Sequence, residues 1–470
     1  MKKYKKYKKP NENSKKIKII IAIVLVCALI LTGVVLFFTT DIFRTKRSGF
    51  IKYLQQIPAS FDVLKMPEFN TYKNTKETVP YSRKAEMTIQ SSANIANNNI
   101  LDKVRFSMNQ KVNNPKQLAE ANISIRNENN ELTSISLLRE KLIYGFSCPL
   151  ISEGYINIRN QNLGKLQTPL RVDYLPNDIK IPDFSDILEF DKNEQKHIEQ
   201  YFKVIENDVP DTSYTREDKK IKIDGEEYST KLYTLELDSS ANANLQTTLL
   251  EKLSKDSVML DCLASRFSLL GFEEKYTTVN RLNETIQERI KSIKSKPSSV
   301  KDLKIKVYEN KMKNIKTEIQ SANNKLVIEH VTKDGFEKLR IQYNSNEFYI
   351  IKEGNTYKFY VGYKDENNLV KSIEIKYNQN GTVGDNNVEN IAEITKKDGI
   401  KSITYSYKDK VTFTNNIGTI KLLSNNKGFV LNDVSTSDAT IFINALKEKI
   451  NRSYVSKGAE IGINLDPIFE

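Results

Sequence analysis

His197 and His330 are the only histidines in 470 residues, which excludes an imidazole-rich metal site supplied by this chain alone. His197 follows Glu194 by three positions within a helical pattern, so the pair shares one helix face as Glu-x-x-His. Di-metal carboxylate sites need two such pairs, and no second one occurs; the spacing reads instead as a solvated or core-edge histidine. Ser298-x-x-Lys301 carries the letters of an acylating Ser-x-x-Lys, but neither Ser-Asp-Asn nor Lys-Thr-Gly follows it. Asp173, Asp178, Asp183, Asp186 and Glu189 crowd a proline-bearing loop. Converging on a cleft, they would serve a cell-wall or surface hydrolase as acid and base; spread along the loop, they are its solvated face. Neither a P-loop nor a Gly-x-Gly-x-x-Gly appears. No catalytic, cofactor-binding or metal residue is assigned, no cofactor is expected, and the leading expectation is a protein that is not an enzyme.

Three cysteines are present. Cys27 falls in an apolar run, and no C-x-x-C zinc spacing exists. Cys148 and Cys262 leave two readings open: a disulfide, chemically allowed outside the cell, or two unpaired structural thiols.

The elements that would position these groups begin with a lysine-rich tail, residues 1–18, running into the uncharged stretch Ile19 to Phe38. Twenty residues at about 1.5 Å rise span roughly 30 Å, the hydrocarbon thickness of a bilayer. The run is too long for a signal-peptide core and lacks a small-residue cleavage site, so it is expected to stay as a membrane-spanning anchor from Ile19 to Phe38. Nine lysines precede it, whereas Arg44, Lys46, Arg47 and Lys52 follow. That bias keeps the N-terminus cytoplasmic and places residues 39–470 outside the cell. Lys15, Lys16 and Lys18 are then the contacts to lipid headgroups.

The net charge of +13 also resolves into this tail. Nine lysines against Glu12 give +8 in residues 1–18, Asp41 to Arg47 add +2, and about +3 remains for the bulk. A domain so near neutrality has no footprint for a phosphate backbone, so nucleic acid is not an expected partner.

Further along, residues 39–82 read as a juxtamembrane helix ending near Pro58 and then a linker. From Lys84 to Gly164 the period is two, broken at Asn-rich points, as about six meandering strands require. Helical patterns occupy Asp191 to Asn207, Ala241 to Leu270 with a break near Lys255-Asp256, and Thr278 to Lys296. Pro297-Ser298-Ser299 marks a boundary. Before it, two strands turn at Asp224-Gly225; beyond it, strands recur from Lys301 to Leu431, with turn signals at Asp334-Gly335, Glu353-Gly354-Asn355 and Asn380-Gly381, and a helix spans Ser437 to Arg452. The expected fold class is α+β: a transmembrane helix followed by two antiparallel-sheet modules, curved or half-barrel, each covered by helices. The modules fall at 83–296 and 301–470, joined by linker 297–300. A faint repeat of strand, Asp/Ser turn and amphipathic helix relates Leu232–Leu253 to Phe429–Ile450.

Thr39 to Lys46, with Phe50 and Tyr53, resembles the juxtamembrane segment of an uncharacterised family of membrane-anchored proteins of low-GC Gram-positive bacteria. Lys220 to Gly225, Tyr228 and Leu232 to Leu237 carry the same resemblance. It implies a single-pass topology and a domain of unknown function. The curved sheet crossed by helices is also similar in architecture to lipoprotein-carrier half-barrels, which hold acyl chains in their concavity. The expected role is therefore a membrane-anchored binding or envelope-associated module, with membrane lipid as one partner and a hydrophobic ligand or cell-envelope component as another.

Overall fold

Period-two alternation broken by Asn and Gly turns dominates the chain, and antiparallel strands are the result. The computed structural model describes residues 45–91, 102–150, 152, 154–172, 175, 178, 184–270, 272–364, 369–425 and 428–460. Six strands form the early meander: β1 (Tyr81–Ser91), β2 (Val104–Asn113), β3 (Leu118–Asn127), β4 (Asn130–Glu140), β5 (Ile143–Ser147) and β6 (Ile156–Arg159). Eight more follow: β7 (Tyr214–Ile223), β8 (Glu226–Leu237), β9 (Leu303–Asn310), β10 (Lys313–Ser321), β11 (Asn324–Lys333), β12 (Phe336–Tyr343), β13 (Asn346–Glu353) and β14 (Thr356–Lys364). The last three are β15 (Val370–Asn380), β16 (Asn387–Asp398) and β17 (Lys401–Phe413). The principal helices are α1 (Lys46–Leu54), α2 (Asn70–Thr78), α3 (Lys192–Asp208), α4 (Ser239–Leu253), α5 (Ser257–Leu269), α6 (Val279–Ser295) and α7 (Thr436–Glu460).

The expectation of two separate sheet modules is overturned. The seventeen described strands belong to one antiparallel sheet, and among the described residues no helix is long and apolar enough to cross a membrane. The reason is non-local pairing. Strand β1 is flanked by β2 on one side and by β17 on the other, with Tyr81 opposite Phe413 and Ser91 opposite Ile403. Local periodicity reports that a strand exists, not which distant strand it joins. The residues proposed for the anchor and its headgroup contacts, Ile19, Phe38, Lys15, Lys16 and Lys18, lie outside the described residues.

By packing, the chain divides into two units that are each discontinuous in sequence. The first comprises the described part of Met1–Met66 with Ile181–Gly354 and Phe359–Lys364. Here β7 to β13 form a meander, and Asp224 and Gly225, both at positive φ (51° and 87°), make the tight turn between β7 and β8. Helix α1 crosses β7 to β10 and buries Phe50, Ile51 and Leu54, with Ile57 just beyond it. The Phe50 ring meets Tyr214 edge-on at 5.4 Å between centroids. The stripe Leu282, Ile286, Ile290 and Ile293 of α6 is buried, as its spacing requires. Pro297–Ser299 forms a single 3₁₀ turn inside this unit.

The second unit comprises Pro67–Lys180, Asn355–Lys358 and Asp365–Glu470. Its strands run in the order β15, β16, β17, β1, β2, β3, β4, β5, β6. Part of the segment read as a linker is helical: α2 occupies Asn70–Thr78 and buries Tyr72 against Tyr81, Val112, Val388, Val411 and Phe413. Helix α7 packs Phe442, Leu446 and Ile450 on Cys148, Ile156, Ile135 and Phe146.

Candidate functional site

One face of the second unit's sheet carries polar and apolar side chains in ordered rows. Residues directly opposite one another in neighbouring strands share a face, so the registers can be read as rows. Beneath α2, Tyr81 stands beside Phe413 and Val112, closing that end with apolar side chains. Two residues further along the strands comes Val388–Val411–Arg83–Gln110–Ala121–Leu137. Next is Gln379–Asn390–Asp409–Ala85–Met108–Ile123–Ile135. Beyond these polar positions the face turns apolar: Tyr377–Ala392–Tyr407–Met87–Phe106–Ile125, then Ile375–Ile394–Tyr405–Ile89.

The polar layer is a continuous hydrogen-bond network. Arg83 donates from Nε to Asp409 Oδ2 at 2.5 Å and from Nη2 to the Tyr407 hydroxyl. The Tyr407 hydroxyl donates to the same carboxylate oxygen at 2.6 Å. On the other oxygen, Asn390 Nδ2 donates to Asp409 Oδ1 at 2.6 Å and reaches the Tyr72 hydroxyl at 3.0 Å. Asn390 Oδ1 in turn accepts from Tyr377 at 2.8 Å and from Gln379 at 3.0 Å. Asp409, Asn390 and Gln379 are buried, so each polar atom needs the partner it has. Burial pushes the Tyr72 phenol up to about 12, partly offset by the Asn390 hydrogen bond. Burial likewise raises Tyr377 and Tyr407 well above the ordinary phenol range.

Lys76 of α2 adds a second cation, its ammonium 5.1 Å from the Tyr72 ring centre and 5.6 Å from that of Tyr81. Burial first and the Arg83 charge second hold it below the usual lysine range. The apolar rows differ from a normal core. Met87, Ile89, Phe106, Ile125, Ile375, Ile394 and Tyr405 are all only half-buried, and Ile373 at the far end is 45% exposed. Chemically the arrangement offers a hydrogen-bonded polar floor next to an open apolar wall, the composition of a site for an amphipathic molecule. No side chain in it is poised as a nucleophile, since the one carboxylate is already saturated with donors.

Among the described residues, clefts also lie elsewhere. In the first unit one of about 720 Å³ is lined by Glu236, Asp238, Ser298, Lys301, Lys304 and Gln320 among others. It brings Ser298 and Lys301 to one place, but both are exposed; Asp238 is engaged as the N-cap of α4, 2.8 Å from the Ala241 amide, and Lys304 pairs with Glu236. In the second unit one of about 510 Å³ is lined largely by the opposite, polar face of β1 to β3, including Glu86, Thr88, Arg105, Ser107 and Arg126.

The residues singled out from sequence are dispersed. Glu194 and His197 share α3 yet serve different partners: Glu194 accepts two 3.0 Å bonds from Arg266, and His197 Nδ1 lies 2.9 Å from Asp256, the N-cap of α5. His330 sits on β11, 2.8 Å from Glu337. Asp178, Asp186 and Glu189 are exposed, with Glu189 3.6 Å from Lys65; Asp173 and Asp183 lie outside the described residues. Among the described residues no cluster of three potential metal ligands forms. Cys148 and Cys262 are both buried and are not joined to each other. Arg83 and Asp409 escaped the sequence reading. Their one signal was a charge at an inward parity, in Tyr81-x-Arg83-x-Ala85-x-Met87-x-Ile89 and in Tyr405-x-Tyr407-x-Asp409.

Comparison with known proteins adds a family and little chemistry. The model described as "Family of unknown function (DUF6583)" matches residues 11–452. No curated protein matches the chain. Among solved structures, a point mutant of the vaccine antigen transferrin binding protein B from Haemophilus parasuis resembles it weakly, with 7% identity and a TM-score of 0.11 over 72% of this chain and 76% of that one. A double mutant of the same antigen gives 6% identity and the same TM-score and coverage.

Proposed function

The chain belongs to this family of unknown function, and we propose that its second unit is a non-enzymatic binding module for an apolar chain, held at the outer face of the cell membrane by the run Ile19 to Phe38. The observation that supports the binding role is the pair of half-buried rows through Tyr407–Met87–Phe106–Ile125 and Ile394–Tyr405–Ile89. A sheet face this apolar is ordinarily covered, as α7 covers β4 to β6 of the same unit. Two methionines, Met87 and Met108, give the surface unbranched side chains that adapt to an irregular guest. The basic tail and anchor supply the second contact, to membrane lipid, and place the module within reach of lipid or of another envelope component.

The test uses the full chain purified from membranes into lipid nanodiscs. A neutral solvatochromic dye should bind with a blue-shifted emission, and Phe106→Lys should weaken it at least tenfold while the circular dichroism spectrum is retained. Unchanged dye binding in Phe106→Lys would remove the sheet face as the site. Protease added to intact cells should digest the strand-rich part; its survival would count against the outward orientation.

A further inference from the structure

We propose that the guest of this face is a long-chain carboxylate whose headgroup lies between Lys76 and Arg83, an inference that rests on the binding role above. Arg83 commits Nε and Nη2 to Asp409 and Tyr407, and its Nη1 has no partner among the described residues. The Lys76 ammonium has two aromatic rings beside it and, among the described residues, no carboxylate or carbonyl acceptor. Asp409 already accepts from Arg83, Tyr407 and Asn390, so it neutralises one cation and leaves the other uncompensated. A half-buried cation without an acceptor is costly, and an entering anion relieves that cost.

Donor number and charge select the headgroup. Two cationic donors on separate side chains match the two oxygens of one carboxylate, and one surplus positive charge matches one negative charge. A phosphate monoester would bring about −1.5 to −2 charges against that single surplus. The position selects the tail. Tyr407 belongs to both parts, its hydroxyl in the polar layer and its ring in register with Met87 of the apolar row, so a headgroup at Arg83 directs its chain onto Met87, Phe106 and Ile125.

Displacement of the neutral dye from the full chain in nanodiscs, by hexadecanoate, hexadecanol and hexadecyl phosphate, separates the two claims. Hexadecanoate should displace the dye about tenfold or more better than hexadecanol, the scale of a charge-assisted hydrogen bond. Lys76→Met should bring that ratio close to one while leaving hexadecanol unchanged, and Lys76→Arg should restore the preference. Equal potency of acid and alcohol on the unmodified chain would overturn the headgroup assignment and leave the apolar face standing. Tighter binding of the phosphate than of the carboxylate would overturn the choice of anion. If none of the three displaces the dye, the binding role itself fails and this inference falls with it.

Discussion

Arg83 on β1 donates through Nε to Asp409 on β17 at 2.5 Å, joining positions 326 residues apart across one strand pair. The two ends of this bond see different surroundings: the Asp409 side chain is completely buried, whereas that of Arg83 is 25% exposed. Breaking the pair from either side should therefore cost different amounts. Arg83→Met strands a buried carboxylate and should destabilise the second unit by about 3 to 5 kcal/mol. Asp409→Asn leaves a guanidinium that can turn to water and keeps an acceptor for Asn390, and should cost nearer 1 to 2 kcal/mol. Denaturant midpoints of the two variants check the order; equal losses would show that the Asp409 site is open to solvent.

Gly49 poses a contest between two local effects. It lies inside α1, where alanine is preferred over glycine by about 1 kcal/mol. A Cβ at this position, however, would lie within 2.9 Å of the Tyr233 ring carbon Cζ and closer still to Cε1. The ring is itself buried, so the clash should dominate, and Gly49→Ala should lose about 1 to 3 kcal/mol. Adding Tyr233→Leu should recover part of the loss. Stabilisation by Gly49→Ala alone would mean that the ring has room to move.

The phenols give a pH signature. Tyr72, Tyr214 and Tyr308 are each pushed up to about 12, in every case mainly by burial. In the unfolded chain a tyrosine ionises near 10. Below pH 10 both states hold the proton; between 10 and about 12 only the folded state does, so stability falls as pH rises through that window. Absorbance near 295 nm should show a tyrosine fraction that ionises late and together with unfolding. Tyr72→Phe should flatten the loss at the Tyr72 site; an unchanged pH slope would show that this phenol ionises freely in the folded state.

Much of the element inventory was legible in the sequence because it is written locally. The alternation from Lys84 to Gly164 gives the six strands β1 to β6, and Asp224-Gly225, Asp334-Gly335 and Asn380-Gly381 mark real hairpins. Helix α2 was missed because Asn70–Thr78 has no apolar stripe; Tyr72 alone is buried. The site was missed for a different reason. Its floor needs β17 beside β1, and a strand's period reveals which face is buried without revealing its partner. Two strands read as parts of separate modules proved to be neighbours, and the Arg83 and Asp409 charges, each odd within its own strand, explain one another only in register.

Arg266 and Glu194 provide the last test, because they show what became of the Glu194-x-x-His197 pair. Arg266 is 6% exposed and spends its guanidinium on two Glu194 oxygens at 3.0 Å, on the carbonyls of Ile187, Glu189 and Cys262, and on Cys262 Sγ at 3.0 Å. The group pins α3 and the chain before it to α5, so Arg266→Met should cost about 3 to 5 kcal/mol by taking the guanidinium from three carbonyls and from Glu194, which keeps the Asp191 amide. Lysine should rescue poorly, since its three donors cannot reproduce the planar fork. Cys262 reports on the same region. Burial pushes its thiol up to about 12 against the opposing pull of Arg266, so iodoacetamide at pH 8 should leave it largely unmodified in the native chain. Removing Arg266 takes away a cation and raises the thiol's pKa further, which by itself would slow alkylation. It also loosens α3 from α5, which would expose the sulfur. The expected result is faster alkylation in Arg266→Met, because opening outweighs the local electrostatics; a slower rate would mean that the helices stay closed and that Arg266 acts on Cys262 through charge alone.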